Sequence, residues 1–125
     1  MSILFRVELY VKGIERSLQF YQDIIGLKLH GRNERCLRFN HDCFSLLITS
    51  EDVLDDQHYF NTRAKSDVKG NGFELIIVVE DLEKVYKRCL DHGYPIEAEI
   101  ETYPWKMRGF KVADPDGYFL RITSA

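Results

Sequence analysis

The stretch MRGFKVADPDGYFLRITSA (residues 107–125) decides how the rest of the chain reads, because its ending has a degenerate copy earlier in the sequence. Phe44-Ser45-Leu46-Leu47-Ile48-Thr49-Ser50 lies against Tyr118-Phe119-Leu120-Arg121-Ile122-Thr123-Ser124, so that LLITS returns as LRITS. Asp114-Pro115-Asp116-Gly117 is a turn with a mechanism: Pro presets φ, Asp bonds the local backbone, and Gly supplies a left-handed residue before the next strand. A β-hairpin follows, residues 106–113 returning as 118–123. By itself this turn is structural and carries no chemistry.

The duplication extends to the other end of each copy. Phe5-Arg6-Val7-Glu8-Leu9-Tyr10-Val11 matches Phe73-Glu74-Leu75-Ile76-Ile77-Val78-Val79, and Ile14-Glu15-Arg16 matches Leu82-Glu83-Lys84. The offset is 68 residues from Val11 to Val79 and 74 from Ile48 to Ile122, which places an extra stretch in the middle hairpin of the second copy. Two modules of one design therefore fill the chain.

At 125 residues the chain is expected to be a single domain, residues 1–125, with module 1 at about 3–50, a linker at about 51–70 and module 2 at about 71–125. A composition of 45% hydrophobic, 30% charged and 13% aromatic residues excludes a disordered or fibrous chain. The net charge of −3 gives no electrostatic reason to expect nucleic acid or an anionic membrane as partner. MSILFRVELYV lacks the pattern of a signal peptide, and no stretch approaches a membrane span, so the cytoplasm is the expected location.

Cys36, Cys43 and Cys89 form no CxxC pair and read as reduced thiols, with Cys36 and Cys43 on neighbouring strands as small hydrophobes. His30, His41, His58 and His92 share no ligand spacing, and His92 sits where a helix C-terminus favours an imidazole.

Residues 4–11 alternate, Phe5, Val7, Leu9 and Val11 on an oily face against Arg6, Glu8 and Tyr10. Ile14, Leu18, Tyr21 and Ile25 follow at helical spacing, with Gly26 as a left-handed cap. Residues 27–31, 34–39 and 43–49 are short runs between turn-rich triplets, completing a βαβββ unit. Residues 50–72 form a polar connector, acidic at Glu51, Asp52, Asp55 and Asp56 and basic at Arg63, Lys65 and Lys69, whose aromatic pair Tyr59-Phe60 covers either a cavity or a partner subunit. The second module repeats the order: Phe73, Leu75, Ile77 and Val79 on the oily face, Asp81 as N-cap, a stripe of Leu82, Val85, Tyr86, Cys89 and Leu90 ending at Gly93, a one-sided strand over 96–102, and a bend at Tyr103-Pro104-Trp105-Lys106-Met107-Arg108. The fold class is α+β: two tandem βαβββ modules forming a curved mixed sheet with helices on its outer face.

The strand ELYV, the helix IERSLQFYQDIIG and the closing PWKMRGFKVADPDGYFLRI, in two βαβββ modules, together resemble the vicinal oxygen chelate superfamily. That group includes glyoxalases, extradiol dioxygenases, fosfomycin-modifying transferases and bleomycin-binding resistance proteins. The resemblance covers all but the connector. In metal-using members it implies four ligand positions, commonly His or Gln and Glu, turned into the hollow of the curved sheet. Counted residue by residue, those positions here hold Arg6, Leu47, Glu74 and Arg121. Only Glu74 can ligate a divalent ion, and two guanidiniums repel one. No catalytic residue, metal ligand or cofactor is therefore expected.

The same hollow suits a small organic ligand. Arg6, Glu8, Tyr10, Glu74 and Arg121 make its charged floor, with Phe119, Trp105, Tyr59 and Phe60 as apolar walls. The floor carries one cation in excess, favouring an acidic molecule, unless Glu8 balances it. The plainer alternative is an internal Arg6–Glu74–Arg121 ion cluster that fills the space. Three functions follow. The first is metal-independent binding that sequesters an organic or antibiotic-like molecule, as in the bleomycin-resistance branch, whose members are commonly homodimers. The second is a metal-dependent lyase or dioxygenase drawing ligands from His30, His41 or His58. The third is a structural or regulatory module with a filled interior.

Overall fold

The computed structural model describes residues 3–60 and 69–125, which form two compact units, Met1–Asp67 and Val68–Ala125. The basic connector residues Arg63 and Lys65 lie outside the described residues.

The first unit runs β1 (Phe5–Val11), α1 (Ile14–Leu18) continued by a π-helical segment (Gln19–Ile25), β2 (Leu29–Arg32), β3 (Cys36–His41) and β4 (Phe44–Ser50). Its sheet has the order β1-β4-β3-β2, with β1 parallel to β4 and the other pairs antiparallel. The helix supplies the crossover that a parallel β1–β4 pair demands. Leu9 and Val11 from β1, Leu37 and Phe39 from β3, and Leu46 and Ile48 from β4 are buried on the helix side. Phe5, expected on that face, is exposed because it starts an edge strand ahead of the helix.

The helix departs from simple periodicity. Ser17, Phe20, Tyr21, Ile24 and Ile25 are buried while Leu18 is half-buried. Wide turns, closed by the Gly26 N–H on the Tyr21 carbonyl at 3.2 Å, let two adjacent pairs, Phe20-Tyr21 and Ile24-Ile25, both reach the sheet. Phe20 and Tyr21 meet edge to face at 4.9 Å, and Gly26 caps the segment at φ 96°.

The connector begins as part of this unit. A 3-10 turn at Glu51–Val53 is started by the Ser50 hydroxyl, which accepts from the Asp52 N–H, and Leu54 is buried.

The second unit repeats the plan with β5 (Leu75–Val78), α2 (Leu82–Asp91), β6 (Ile96–Thr102), β7 (Arg108–Ala113) and β8 (Phe119–Thr123), in the order β5-β8-β7-β6 with β5 parallel to β8. Asp81 caps α2 by accepting from the Lys84 N–H at 3.1 Å. At the other end the His92 ring meets the Arg88 carbonyl at 2.9 Å, and Gly93 turns the chain at φ 73°. Leu82, Val85 and Cys89 are buried under α2 and Tyr86 packs edge to face on Phe110, whereas Leu90 is exposed, lying past the margin of the stripe.

Strand register establishes the internal duplication residue by residue. Glu8 opposite Leu47, Leu9 opposite Ile48 and Tyr10 opposite Thr49 return as Ile76 opposite Arg121, Ile77 opposite Ile122 and Val78 opposite Thr123. Leu29 opposite Phe39 returns as Ile96 opposite Val112. Ile96 lies 67 positions after Leu29 and Val112 lies 73 after Phe39, so the β6–β7 hairpin is six residues longer. That extra length makes the long strand β6 and the tip over residues 103–107.

The Asp114-Pro115-Asp116-Gly117 turn is held from inside. One Asp114 carboxylate oxygen accepts from the Asp116 N–H at 2.8 Å and the Tyr118 N–H at 2.9 Å, and Gly117 stands at φ 90°. Asp114 is buried, so removing its oxygens strands two amides. Asp114→Ala is expected to lower stability by about 1–3 kcal/mol, and Asp114→Asn, which keeps an acceptor, by clearly less; equal midpoints for the two in urea unfolding would show that the carboxylate bonds contribute nothing. The cysteines separate by burial: Cys89 is fully buried and its thiol is pushed up to about 11, whereas Cys43 is exposed. A maleimide at pH 8 is expected to label Cys43 on the native chain and Cys89 only after denaturation, which mass spectrometry of the two peptides reads directly.

Candidate functional site

Alternation turns one face of each sheet away from its helix. In the first unit that face carries Arg6, Glu8 and Tyr10 from β1 with Ser45, Leu47 and Thr49 from β4, and β3 adds Cys36 and Arg38 opposite Thr49 and Leu47. Glu8 is the hub. Its carboxylate accepts from the Thr49 hydroxyl at 2.6 Å and from the Tyr10 hydroxyl at 3.3 Å. The Thr49 hydroxyl also lies 3.5 Å from the Cys36 sulfur.

The connector closes over this group. His58 Nδ1 accepts from the Phe60 N–H at 3.1 Å, which leaves the proton of a neutral ring on Nε2, 3.4 Å from the Tyr10 oxygen. Phe60 packs on Tyr10 at 6.0 Å and on His58 at 5.7 Å, and Tyr59 stands edge-on to Phe60, largely exposed. Burial first, and then the Glu8 carboxylate, raise the Tyr10 pKa, so its hydroxyl stays protonated at neutral pH. Arg6 is exposed at the start of β1, opposite Ser45.

In the second unit the equivalent face holds a cation. Arg121 Nη2 meets Glu74 Oε1 at 2.9 Å, with the two side chains 20% and 32% exposed. Glu74 stands one residue ahead of β5. The Arg121 guanidinium carbon lies 5.7 Å from the Tyr103 ring centre and 5.8 Å from that of Trp105, and those rings stack at 4.9 Å with 17° between planes. Lys111, opposite Arg121 on β7, reaches to 6.0 Å from the Phe119 ring.

The stack depends on a glycine. A Cβ at Gly109 would meet the Ile122 carbonyl oxygen at 2.8 Å and the Tyr103 ring at 2.8 Å, so only a bare backbone lets Tyr103 lie down there. Two bonds close the tip: the Tyr103 N–H to the Met107 carbonyl at 2.8 Å and the Lys106 N–H to the Tyr103 carbonyl at 2.9 Å, with Lys106 left-handed at φ 71°. Burial first, then Glu101, raise the Tyr103 pKa, with Arg121 opposing them.

Of the residues expected at the site, Glu8 meets Tyr10, Tyr10 meets the Phe60 ring, and Arg121 meets both Glu74 and Trp105. Phe119 stands apart from the stack, beside Lys111. Three residues were missed, Tyr103, Thr123 and Thr49, and His58, expected only as a possible metal ligand, stands beside Tyr10 instead. Strand alternation from Arg121 gives Thr123, and from Leu47 gives Thr49; nothing local gives His58, which reaches Tyr10 across 48 residues.

The four positions where relatives hold a divalent metal do not fit one here. Leu47 has no donor, Arg6 and Arg121 are cations, and the single carboxylate, Glu74, already meets a guanidinium at 2.9 Å. Among the described residues no group of three His, Cys, Asp or Glu side chains converges as a metal cluster. His30 sits between the Lys28 carbonyl and the Asn40 N–H, and His41 is a surface neighbour of Asp42. No helix among the described residues is long and apolar enough to cross a membrane.

Two four-stranded mixed sheets, each with a helix and each repeating βαβββ, define an α+β protein of two tandem modules. The family model for the glyoxalase/bleomycin resistance protein/dioxygenase superfamily matches residues 3–122, and the chain belongs to that superfamily. Solved structures share the fold at low identity. A lactoylglutathione lyase from Agrobacterium tumefaciens is 16% identical with a TM-score of 0.71, over 100% of this chain and 95% of that one. A glyoxalase/bleomycin resistance protein/dioxygenase family enzyme from Burkholderia phytofirmans PsJN is 15% identical at 0.80, over 98% of each chain. TioX from Micromonospora sp. ML1 is 19% identical at 0.72, over 99% and 98%. No curated protein matches the chain.

Arg121→Glu sets two carboxylates against each other and removes the cation from the aromatic stack. Because both side chains are partly solvated, the expected loss is about 1–3 kcal/mol rather than the larger cost of a fully buried pair. Arg121→Gln should lose less, and identical urea midpoints for wild type and Arg121→Glu would show the ion pair to be inert.

Proposed function

We propose that this chain is a metal-independent small-molecule-binding protein of the superfamily, acting by sequestration of an organic, antibiotic-like ligand. The observation that carries the reading is the Glu74–Arg121 ion pair. It occupies the one carboxylate available at the metal positions and places a guanidinium where metal-using relatives carry Glu. Each module adds what an organic ligand uses. The first offers the Glu8 carboxylate, the Tyr10 hydroxyl and the exposed Tyr59 and Phe60 rings; the second offers Arg121, Phe119 and the outward face of Trp105. Arg6, near the start of β1, and Glu74, just ahead of β5, are further polar groups, one in each module.

The working form in this reading is a homodimer in the cytoplasm, with neither nucleic acid nor membrane as partner. Ile3, Leu4 and Phe5 support it: three successive exposed apolar residues lead into an edge strand, a feature that a second copy would cover.

The competing reading is a metal-dependent lyase or dioxygenase, and one preparation separates the two. Purified protein is expected to contain no stoichiometric Ni, Zn, Fe or Mn by mass spectrometry, and its melting temperature should be unmoved by those ions but raised by at least one member of a panel of aromatic metabolites and antibiotics. One equivalent of bound metal, with melting lowered by a chelator, would establish the enzyme reading instead. If no molecule in the panel raises the melting temperature, sequestration loses its support.

A further inference from the structure

Three buried polar atoms on one face of the second module have no hydrogen-bond partner among the described residues: the Tyr103 hydroxyl, the Arg121 Nε and the Thr123 hydroxyl. They belong together. Thr123 lies opposite Gly109, and the Tyr103 hydroxyl oxygen sits 3.0 Å from where a Cβ on Gly109 would stand. Arg121 is two residues from Thr123 on the same face of β8, with its guanidinium against the Tyr103 ring. Arg Nε is donor only, and the Tyr103 and Thr123 hydroxyls each have a proton to give. Buried donors are normally satisfied, so three orphans at adjacent positions require a reason.

The duplication supplies it. In the first module the residue equivalent to Thr123 is Thr49, whose hydroxyl donates to Glu8 at 2.6 Å. The residue equivalent to Glu8 is Ile76, half exposed and without an acceptor. The donor was kept while its carboxylate was lost. Glu74 does not replace it, because its bond goes to Arg121 Nη2 and leaves Nε unmet.

We propose that Tyr103, Arg121 and Thr123 form a subsite for the carbonyl or carboxylate oxygen of a planar organic ligand, covered in this structure by the tip over residues 103–107, with Trp105 as its stacking surface. The inference rests on the small-molecule-binding reading and names the ligand group that reading leaves open. Tyr103 is 7% exposed and Trp105 56% exposed, so the tip has a dry side, which carries one of the donors and faces the other two, and a wet aromatic side. A small outward shift of the tip lets an entering oxygen lodge between the Tyr103 hydroxyl on one side and the Arg121 Nε and Thr123 hydroxyl on the other, and a ring attached to it meets the indole. The face carries Arg121 and Lys111 against Glu74 and Glu101, so no charge excess selects carboxylate over carbonyl. The shared requirement is an acceptor oxygen beside a flat ring.

Trp105 is the only tryptophan, so its fluorescence reports this subsite alone. Wild-type protein, with metal content measured on the same sample, is titrated with benzoate, benzamide and benzylamine. Benzoate, benzamide or both are expected to shift Trp105 emission saturably, and benzylamine, which has no acceptor, to leave it unmoved. Tyr103→Phe and Thr123→Val should each weaken the active probe roughly fivefold, the worth of one hydrogen bond, and each unliganded variant should melt at or above the wild-type temperature because an orphan hydroxyl is gone. Thr123→Ser should bind as wild type. Silence of Trp105 toward both oxygen probes overturns the proposal, as does unchanged binding by both variants, or variants that melt lower because their hydroxyls had partners after all. Failure of the underlying reading looks different: a metal-loaded chain in which the oxygen probes still shift Trp105 keeps the subsite and removes sequestration without metal.

Discussion

A guanidinium in the middle of a half-buried strand must have its charge met, and the surroundings of Arg121 follow from that constraint. The alternation of β8 sends Leu120 and Ile122 into the core, so Arg121 has to stand on the opposite face. Glu74, just ahead of the neighbouring parallel strand, supplies the opposite charge at 2.9 Å, and the Tyr103 and Trp105 rings take the remaining surface of the cation. Those rings need the tip over residues 103–107, and that tip needs a residue without a side chain at position 109. One substitution in the ancestral repeat, Leu47 in one copy against Arg121 in the other, is thus matched by changes on three elements.

The two modules show what a shared backbone leaves to choice. Both place a strand pair in the same register, yet the first sets a carboxylate among hydroxyls and the second a cation among rings. Glu8 gathers donors; Arg121 gathers a carboxylate and π faces. Backbone hydrogen bonds set the register and are indifferent to the side chains carried, so a duplicated fold can diverge on its outward face while its helix-facing residues stay apolar: Leu9, Leu46 and Ile48 in one copy, Leu75, Leu120 and Ile122 in the other.

Most of the fold was legible in the sequence because it is written in short-range signals. Period-two alternation gave β1 and β6, the Asp81 cap and Gly93 bounded α2, and Asp114-Pro115-Asp116-Gly117 gave the last hairpin; repetition then doubled each inference. What escaped was set by tertiary packing. The π-helical turns that bury Phe20-Tyr21 and Ile24-Ile25 together answer the shape of the sheet beneath them, and the exposure of Leu90 reflects where that sheet ends. At the site, Glu74 and Arg121 were legible as charges at the positions that match Arg6 and Leu47 of the first copy. Tyr103 was passed over as part of a bend, because a tyrosine after a glutamate-rich strand and before a proline looks like a loop residue until the register places Gly109 beneath it. The place of His58 was hidden for a simpler reason: its meeting with Tyr10 is a long-range event with no periodic signature.

The six added residues of the β6–β7 hairpin give the second module something the first has no length to build. The shorter β2–β3 connection is a tight bend, with the Asn33 N–H held by the Cys36 carbonyl, and no ring folds back from it onto the sheet. The longer one carries Tyr103 and Trp105 past the end of β6 and lays them along the guanidinium. Covering a polar strand with a hairpin tip is more reversible than filling it with core side chains. The tip rests on two backbone bonds and a ring stack, whereas Phe110, Val112 and Leu120 on the other side of the same strands are fully buried. The second module therefore has one face packed as core and one face closed by a hairpin tip, and unequal hairpins are how a duplicated chain comes to have both.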